Sequence, residues 1–317
     1  MRRPKIAVEV APESAGRSLL DVVRAVAEME HGEAAALIER GGVWLDARRC
    51  LDAALPVAAG QALAIHFAPT DGRPAAIHPT DILYEDEALL VLNKHPGDYV
   101  NVTPWDVTGD VLWAAGRYLA ARDGTALPLH LAHQLDRDTS GVLVISKHPR
   151  ANAPLLRAFL DHAVHKCYLA LAAGAPEDDS FEVLTGHGRG ERGRFRVYPL
   201  ELVGARSPDG KHTVKSMETR FQVVERWSEA ALVEARPITG RTHQIRLHLA
   251  HAGHPVAGDT RYDGPTTVAG VPLAHHLLHA AVMEIPHPFG RGPLRLEAPL
   301  PALWEDVLAA LRRQEVA

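Results

Sequence analysis

"HLAHQLDRDTSGVLVIS", residues 130–146, sets a polar, acidic turn between two apolar stretches. The run "GVLVIS" is apolar and rich in β-branched residues, which predicts a buried strand. The turn ahead of it is therefore held at a sheet edge. Thr139, Ser140 and Gly141 close that turn with side-chain-to-backbone bonds and a permissive glycine. Asp136 and Asp138 lie inside the break. On local grounds alone the stretch reads either as a polar hairpin loop or as a rigid mount for a carboxylate.

Upstream of it, "DILYEDEALLVLNK" predicts a strand, an acidic turn and a second strand, and "DVLWAAGRYLAAR" predicts a helix. Downstream come a helix near "APLLRAFLDHA" and strands at "KCYLALAAG", "SMETRFQVVERW" and "EAALVEARPI". A helix at "THQIRLHLAHAG", the strand-like "HHLLHAAVMEIP" and a terminal helix "ALWEDVLAALRR" complete the chain. Strands dominate, and helices interrupt them without regular βαβ alternation. That pattern predicts an α+β fold on a mixed, mainly antiparallel sheet. Ahead of this block, residues 18–40 carry apolar positions at helical spacing and the following stretch alternates short apolar runs with turns. The expected organisation is a small helix-and-strand module over 1–70, a proline-rich linker over 71–80 and a large domain over 81–317.

Composition narrows the function class. The 317 residues are 46% hydrophobic and 23% charged, as in an ordinary globular protein. No apolar run approaches the roughly 20 residues that cross a bilayer, and the start "MRRPKIAVEVAPESAG" lacks the apolar middle of a secretion signal. Cys50 and Cys167 stand far apart without a C-x-x-C partner, which argues against a disulfide framework or a cysteine-based zinc site. A cytoplasmic, reducing compartment is expected. The formal net charge of -5 argues against coating nucleic acid through bulk charge. Residues 186–220, however, carry eight Lys or Arg against four acids, an excess of +4.

A second chemical candidate is "RPITGRTHQIRLHLAHAGHPVAGDTRYDG", residues 236–264, where Thr239 or Thr242 is placed to cap the helix. Ile245, Leu249 and Ala252 share one face of that helix, which leaves Arg246 beside it and partly buried. A partly buried guanidinium requires a carboxylate, either in a structural ion pair or in an active site. His248, His251 and His254, with His243 a turn earlier, raise the question of a metal. Steps of three drift around a helix, and neither an H-E-x-x-H pair nor a cysteine is nearby, so no metal is expected. Ser140, His133 and Asp136 make a hydrolase triad conceivable, but the G-x-S-x-G elbow is missing. Lys166 and Tyr168 begin the strand "HKCYLALAAG"; a tyrosine there is ordinarily core or a cross-strand partner.

Together these stretches resemble the RluA-like pseudouridine synthases. "HQLDRDTSGVLVISK" is similar to that family's H-R-L-D-x-x-T-S-G motif, "HKCYLA" to its K-x-Y segment, and "ITGRTHQIRLHLAHAGHPVAGDTRY" to its G-R-T-H-Q-I-R motif. The resemblance runs from about residue 81 to 305, in family order. It implies an RNA pseudouridine synthase, an isomerase with no cofactor, acting as a monomer on structured ribosomal or transfer RNA. It also implies that Asp136 is the catalytic carboxylate, that Tyr168 packs on the target uracil and that Arg246 pairs with Asp136. These roles fit the chemistry: breaking a carbon–nitrogen glycosidic bond calls for an ionised carboxylate, and an adjacent arginine keeps it charged. Asp138 is left as a turn residue. Gln134 departs from the family pattern, standing where arginine is usual and where the space left by a flipped base is filled. The stretch "NKHPGDYVNVT" departs from N-K-P-x-G-L but keeps Lys94 and Gly97. The first 70 residues resemble a small RNA-binding module shared with a ribosomal small-subunit protein, on the strength of "LIERGGVWLDARR". Arg192, Arg194 and Arg196, in the basic segment, are the expected contacts to the RNA backbone. The alternative is an RNA-binding protein that keeps the fold without turnover.

Overall fold

The computed structural model describes residues 5–68, 74–190 and 194–316. Arg192 and part of the expected linker lie outside them. The chain forms two compact units, one of Met1–Ile77 with Asp98–Ala126 and one of His78–Gly97 with Leu127–Ala317. The break at Ile77/His78 falls in the expected linker, but Asp98–Ala126, read from the sequence as part of the large domain, packs with the first unit. The reason is a set of contacts made at a distance in sequence. Arg40 Nε donates to the buried carboxylate of Asp106 at 3.1 Å, Trp44 Nε1 to the Pro104 carbonyl at 2.8 Å, and Arg49 Nη2 to the Thr103 carbonyl at 2.6 Å.

The first unit holds β1 (Lys5–Glu9), α1 (Leu19–Ala27), α2 (His31–Glu39), β2 (Val43–Leu45), β3 (Arg48–Cys50), β4 (Ala62–His66) and α3 (Val111–Asp123). Its sheet has the order β1-β4-β2-β3. Leu19, Val22 and Val23 of α1 and Ile38 of α2 bury against Val43, Leu63 and Ile65. The helical spacing seen over 18–40 is thus the face that covers this sheet.

The second unit is built on β5 (Ile82–Glu85), β6 (Leu89–Lys94), β7 (His130–Leu131), β8 (Ser140–Ser146), α4 (Pro149–Leu160), β9 (His165–Ala173), β10 (Ser180–Arg189) and β11 (Phe195–Tyr198). It continues through β12 (Lys215–Arg226), β13 (Ala230–Pro237), α5 (Gln244–His251), β14 (Thr267–Val268), β15 (Val271–Pro272), β16 (Leu278–Pro286), β17 (Pro293–Glu297) and α6 (Ala302–Val316). The central sheet runs β11-β10-β12-β13-β9-β16-β8-β6-β5, with β17 on β16 and β7 on β8. Only β8 and β16 run parallel among the described pairs. The fold is therefore α+β on a mainly antiparallel sheet.

All seven residues of β8 are buried, because the strand is covered on both faces and its apolar run needs no alternation. In β12, by contrast, Met217, Thr219, Phe221 and Val223 alternate inward with half-buried or exposed neighbours. Ile245 and Leu249 of α5 pack on Phe221, Val233, Ala235 and Ala170, which lays that helix across β12, β13 and β9. The basic segment 186–220 contains the end of β10, β11 and the start of β12.

Candidate active site

One residue of β16 brings the candidate residues together. Ala280 is the register partner of Gly141 on β8 and of Tyr168 on β9. The loop that ends at β8 and the start of β9 therefore flank the same point of the sheet. Gly141 has φ +107°, and a Cβ there would lie 2.2 Å from the Ala280 carbonyl oxygen. Only glycine permits the close β8–β16 crossing.

The loop carrying Asp136 is tied down on both sides. The buried Lys94 ammonium donates to the carbonyls of Arg137 and His95, each at 2.7 Å, and Gly97 and Arg137 exchange bonds of 3.0 and 3.1 Å. On the other side Thr139 Oγ1 bonds His276 Nε2 at 2.9 Å and Ser140 Oγ bonds His279 Nδ1 at 2.8 Å. Ser140 and His279 are buried at 2% and 0% exposure, so the hydroxyl considered for a triad is a strand-to-strand tie instead. Asp138 pairs loosely with Arg137, at 3.7 Å.

Arg246 meets this loop from α5. Its Nη1 donates to Asp136 Oδ2 at 2.7 Å, while Nε and Nη2 donate to the two oxygens of Asp259 at 2.6 and 2.9 Å. The fork geometry of guanidinium suits this double engagement. Burial alone would lower the Arg246 pKa, but the two carboxylates raise it above the ordinary value. Tyr168 packs against the Ile245–Leu249 core beneath. Burial, with Asp136 adding to it, pushes its hydroxyl well above the usual tyrosine range.

Residues 88–251 match a family described as RNA pseudouridylate synthase. The chain belongs to that family. Relatives of the synthase include RNA pseudouridine synthase 1 of Oryza sativa subsp. japonica, 34% identical over 278 residues and covering 75% of this chain and 78% of the relative. Ribosomal large subunit pseudouridine synthase C of Vibrio vulnificus is 36% identical over 236 residues, covering 73% and 69%. Among solved structures, human RNA Pseudouridylate Synthase Domain Containing 4 superposes with a TM-score of 0.59 at 27% identity, over 74% of this chain and 93% of that one. The synthase is an RluA-like RNA-modifying isomerase, and RNA is its partner.

Three of the expected site residues of the synthase, Asp136, Tyr168 and Arg246, come together. Gln134 is exposed, two residues before Asp136. Arg194 and Arg196 are exposed on the β10–β11 hairpin. Asp259 and His243 were not singled out as partners of Asp136 and Arg246 from sequence. Asp259 was legible only as an acid in "AGDTRY" within reach of a buried arginine. His243 has φ +58°, a strained left-handed conformation for a side chain other than glycine. Its Nδ1 bonds the Tyr262 hydroxyl at 2.7 Å and its Nε2 comes within 3.9 Å of Asp136 Oδ1. Burial pushes its pKa down to about 4, against the pull of Asp136, so the ring is neutral at pH 7.

The expected threonine cap on α5 is absent, for a definite reason. His243 occupies the N-cap position without a side-chain bond, and Thr239 Oγ1 instead donates to Gln244 Oε1 at 2.7 Å. Gln244 folds back on the turn and also accepts from the Arg241 N–H at 2.9 Å. The spaced histidines diverge as the drift of three-residue steps requires: His248 bonds Thr185 and Thr219, and His254 bonds the Ala173 carbonyl. Among the described residues no three His, Cys, Asp or Glu side chains converge on one point.

Proposed function

We propose that Asp136 is the catalytic carboxylate in a cofactor-independent conversion of uridine to pseudouridine within structured ribosomal or transfer RNA. One observation carries this reading. Two carboxylates share Arg246, but the Asp259 side chain is 1% exposed and Asp136 is 22% exposed. Asp136 is therefore the carboxylate that a substrate reaches, with Oδ2 held by Arg246 and Oδ1 3.9 Å from His243 Nε2.

The reaction is redox-neutral and keeps every heavy atom. The bond from ribose C1′ to uracil N1 breaks, the ring turns, C1′ bonds to C5, and the C5 proton is lost while N1 gains one. Two first steps suit a carboxylate at the sugar, attack on C1′ or removal of the C2′ proton, and both need the same ionised oxygen. Arg246 fixes that oxygen. Tyr168 supplies a face for the flipped uracil, whose stacking returns on the order of 1–3 kcal/mol against the cost of leaving the helix. Its raised pKa keeps the hydroxyl protonated, so the ring acts by contact and not as a base. Gln134 fills the place of the displaced base, and Arg194 and Arg196, with Arg192 beyond the described residues, bind phosphate.

The bacterial relatives named for the ribosomal large subunit support ribosomal RNA as a substrate class. Pseudouridine mapping of ribosomal and transfer RNA from a strain lacking the gene tests this. At least one position should disappear from one of the two RNAs; an unchanged map of both would overturn the assignment.

A further inference from the structure

His243 is the residue just before α5, and its backbone lies in the left-handed region at φ +58°. A side chain other than glycine or asparagine is strained there, and such strain persists where the surroundings hold it for a use. Capping the helix is not that use, because the side chain makes no cap bond. The ring turns into the site instead. It is 14% exposed, stands edge-on to Phe195 and to Tyr262 with centroids 5.6 Å away in each case, and presents Nε2 to Asp136.

His243 and Arg246 are three residues apart, so they leave the start of α5 on the same side. Each is backed by one turn, closed by the Tyr262 N–H donating to the Asp259 carbonyl at 3.1 Å, and each faces one oxygen of Asp136. Arg246 is backed by Asp259 and donates to Oδ2 at 2.7 Å. His243 is backed by Tyr262, whose hydroxyl is 2.7 Å from Nδ1, and its Nε2 stands 3.9 Å from Oδ1. Tyr262 supports both, since the Arg246 guanidinium lies over its ring at 5.2 Å. Arg246 Nη1 is the one side-chain donor to Asp136 among the described residues. A carboxylate held through a single oxygen stays free to turn about its Cβ–Cγ bond.

We propose that His243 is a positioning residue for Asp136: in the substrate complex its Nε2–H closes on Oδ1, so that the carboxylate is held at both oxygens, with Tyr262 fixing the ring. This deepens the assignment of Asp136 as the catalytic carboxylate and rests on it. An approach of 3.9 Å is longer than a hydrogen bond, and contacts of this kind tighten when substrate closes a site. A neutral imidazole carries one N–H, whose place is set by what the other nitrogen meets. Burial keeps the Tyr262 hydroxyl protonated, so it donates to Nδ1 and leaves the N–H on Nε2, the nitrogen beside the carboxylate.

The test uses the full-length enzyme, with total RNA from a strain lacking the gene as the probe, and follows the kinetics of pseudouridine formation. His243→Ala should lower kcat about 10- to 100-fold with KM within about twofold of wild type, the loss of one hydrogen bond to a charged group. Two further variants separate positioning from backbone strain. Asparagine accepts the left-handed backbone and still meets Tyr262, but reaches no further than Nδ1. His243→Asn should therefore be as slow as His243→Ala without a fall in urea midpoint, and it carries the same readout if the alanine variant misfolds. Glutamine keeps the strain and brings an amide N–H to the place of Nε2, so His243→Gln should return kcat to within about fivefold of wild type. Tyr262→Phe should lower kcat about three- to tenfold in the wild type and not at all beside His243→Ala, because the hydroxyl acts through the ring. An unchanged kcat in His243→Ala, a rescue by asparagine, no rescue by glutamine, or a Tyr262→Phe loss that persists beside His243→Ala would overturn the proposal. A raised KM with unchanged kcat would overturn it too, making His243 a substrate contact. Failure of the Asp136 reading shows separately, as turnover by Asp136→Asn.

Discussion

Arg246 divides its five donors unequally, giving two to Asp259 and one to Asp136. The bidentate pair fixes the guanidinium plane and leaves Nη1 as a directed donor, so Asp136 is oriented without being enclosed. The two carboxylates are chemically alike and differ in surroundings. Tyr168 illustrates the same point from the side of the ring: burial and Asp136 keep its hydroxyl protonated, which suits the proposed role of the π face as the contact surface. Tyr168→Phe should accordingly keep kcat and KM within about threefold of wild type, whereas Tyr168→Ala should cost stacking of about 1–3 kcal/mol, roughly 5- to 150-fold in kcat/KM. Steady-state kinetics on RNA decide it; a phenylalanine variant as poor as the alanine variant would mean that the hydroxyl does chemistry.

The elements around the site explain what was legible and what was not. "GVLVIS" reads as a buried strand, and β8 is one, because a short run rich in β-branched residues and bounded by turn residues fits a strand covered on both faces. Arg246 as a buried cation followed from the apolar spacing of α5, but Asp259 did not, because it lies in a turn 13 residues on and only the fold returns it to the helix. The β10–β11 hairpin was hidden for a different reason: the sequence marked residues 186–220 only as basic, while the order there comes from β10 pairing with β11 on one side and β12 on the other. The proline-rich stretch marks where the chain passes from one unit to the other, at Ile77/His78, but it carries no sign that Asp98–Ala126 later packs with the first unit. Gly141 connects these levels. Gly141→Ala requires a side chain at φ +107° and 2.2 Å from a carbonyl oxygen, so the β8–β16 crossing must open. A loss of more than about 3 kcal/mol in urea unfolding is expected; an unchanged midpoint would show that the crossing is not held closed by that contact.

For the whole molecule, histidine protonation sets a pH limit. Burial pushes His133 down to about 3 and His243 and His248 each to about 4, all from an ordinary 6.5. The unfolded chain therefore binds protons that the folded chain refuses. The stability these groups contribute is complete above about pH 6.5 and is lost as the pH falls toward 4, at roughly 1.4 kcal/mol per pH unit for each fully affected histidine. Between pH 7.5 and 5.0, above the carboxylate range, the urea midpoint should fall steadily; a flat midpoint would contradict the buried neutral rings. Charge at this scale also bears on function. With a net charge of -5, RNA binding has to rely on local clusters of cations, and the phosphate contacts proposed above, Arg194 and Arg196, are exposed on the β10–β11 hairpin.

The most direct measurement is pseudouridine mapping of total RNA from a strain that lacks the gene and is supplied with either the wild-type chain or Asp136→Asn. The account predicts that wild type restores the missing position and that the variant, folded and still binding RNA, restores none. Pseudouridine formed by Asp136→Asn at the wild-type position would contradict it.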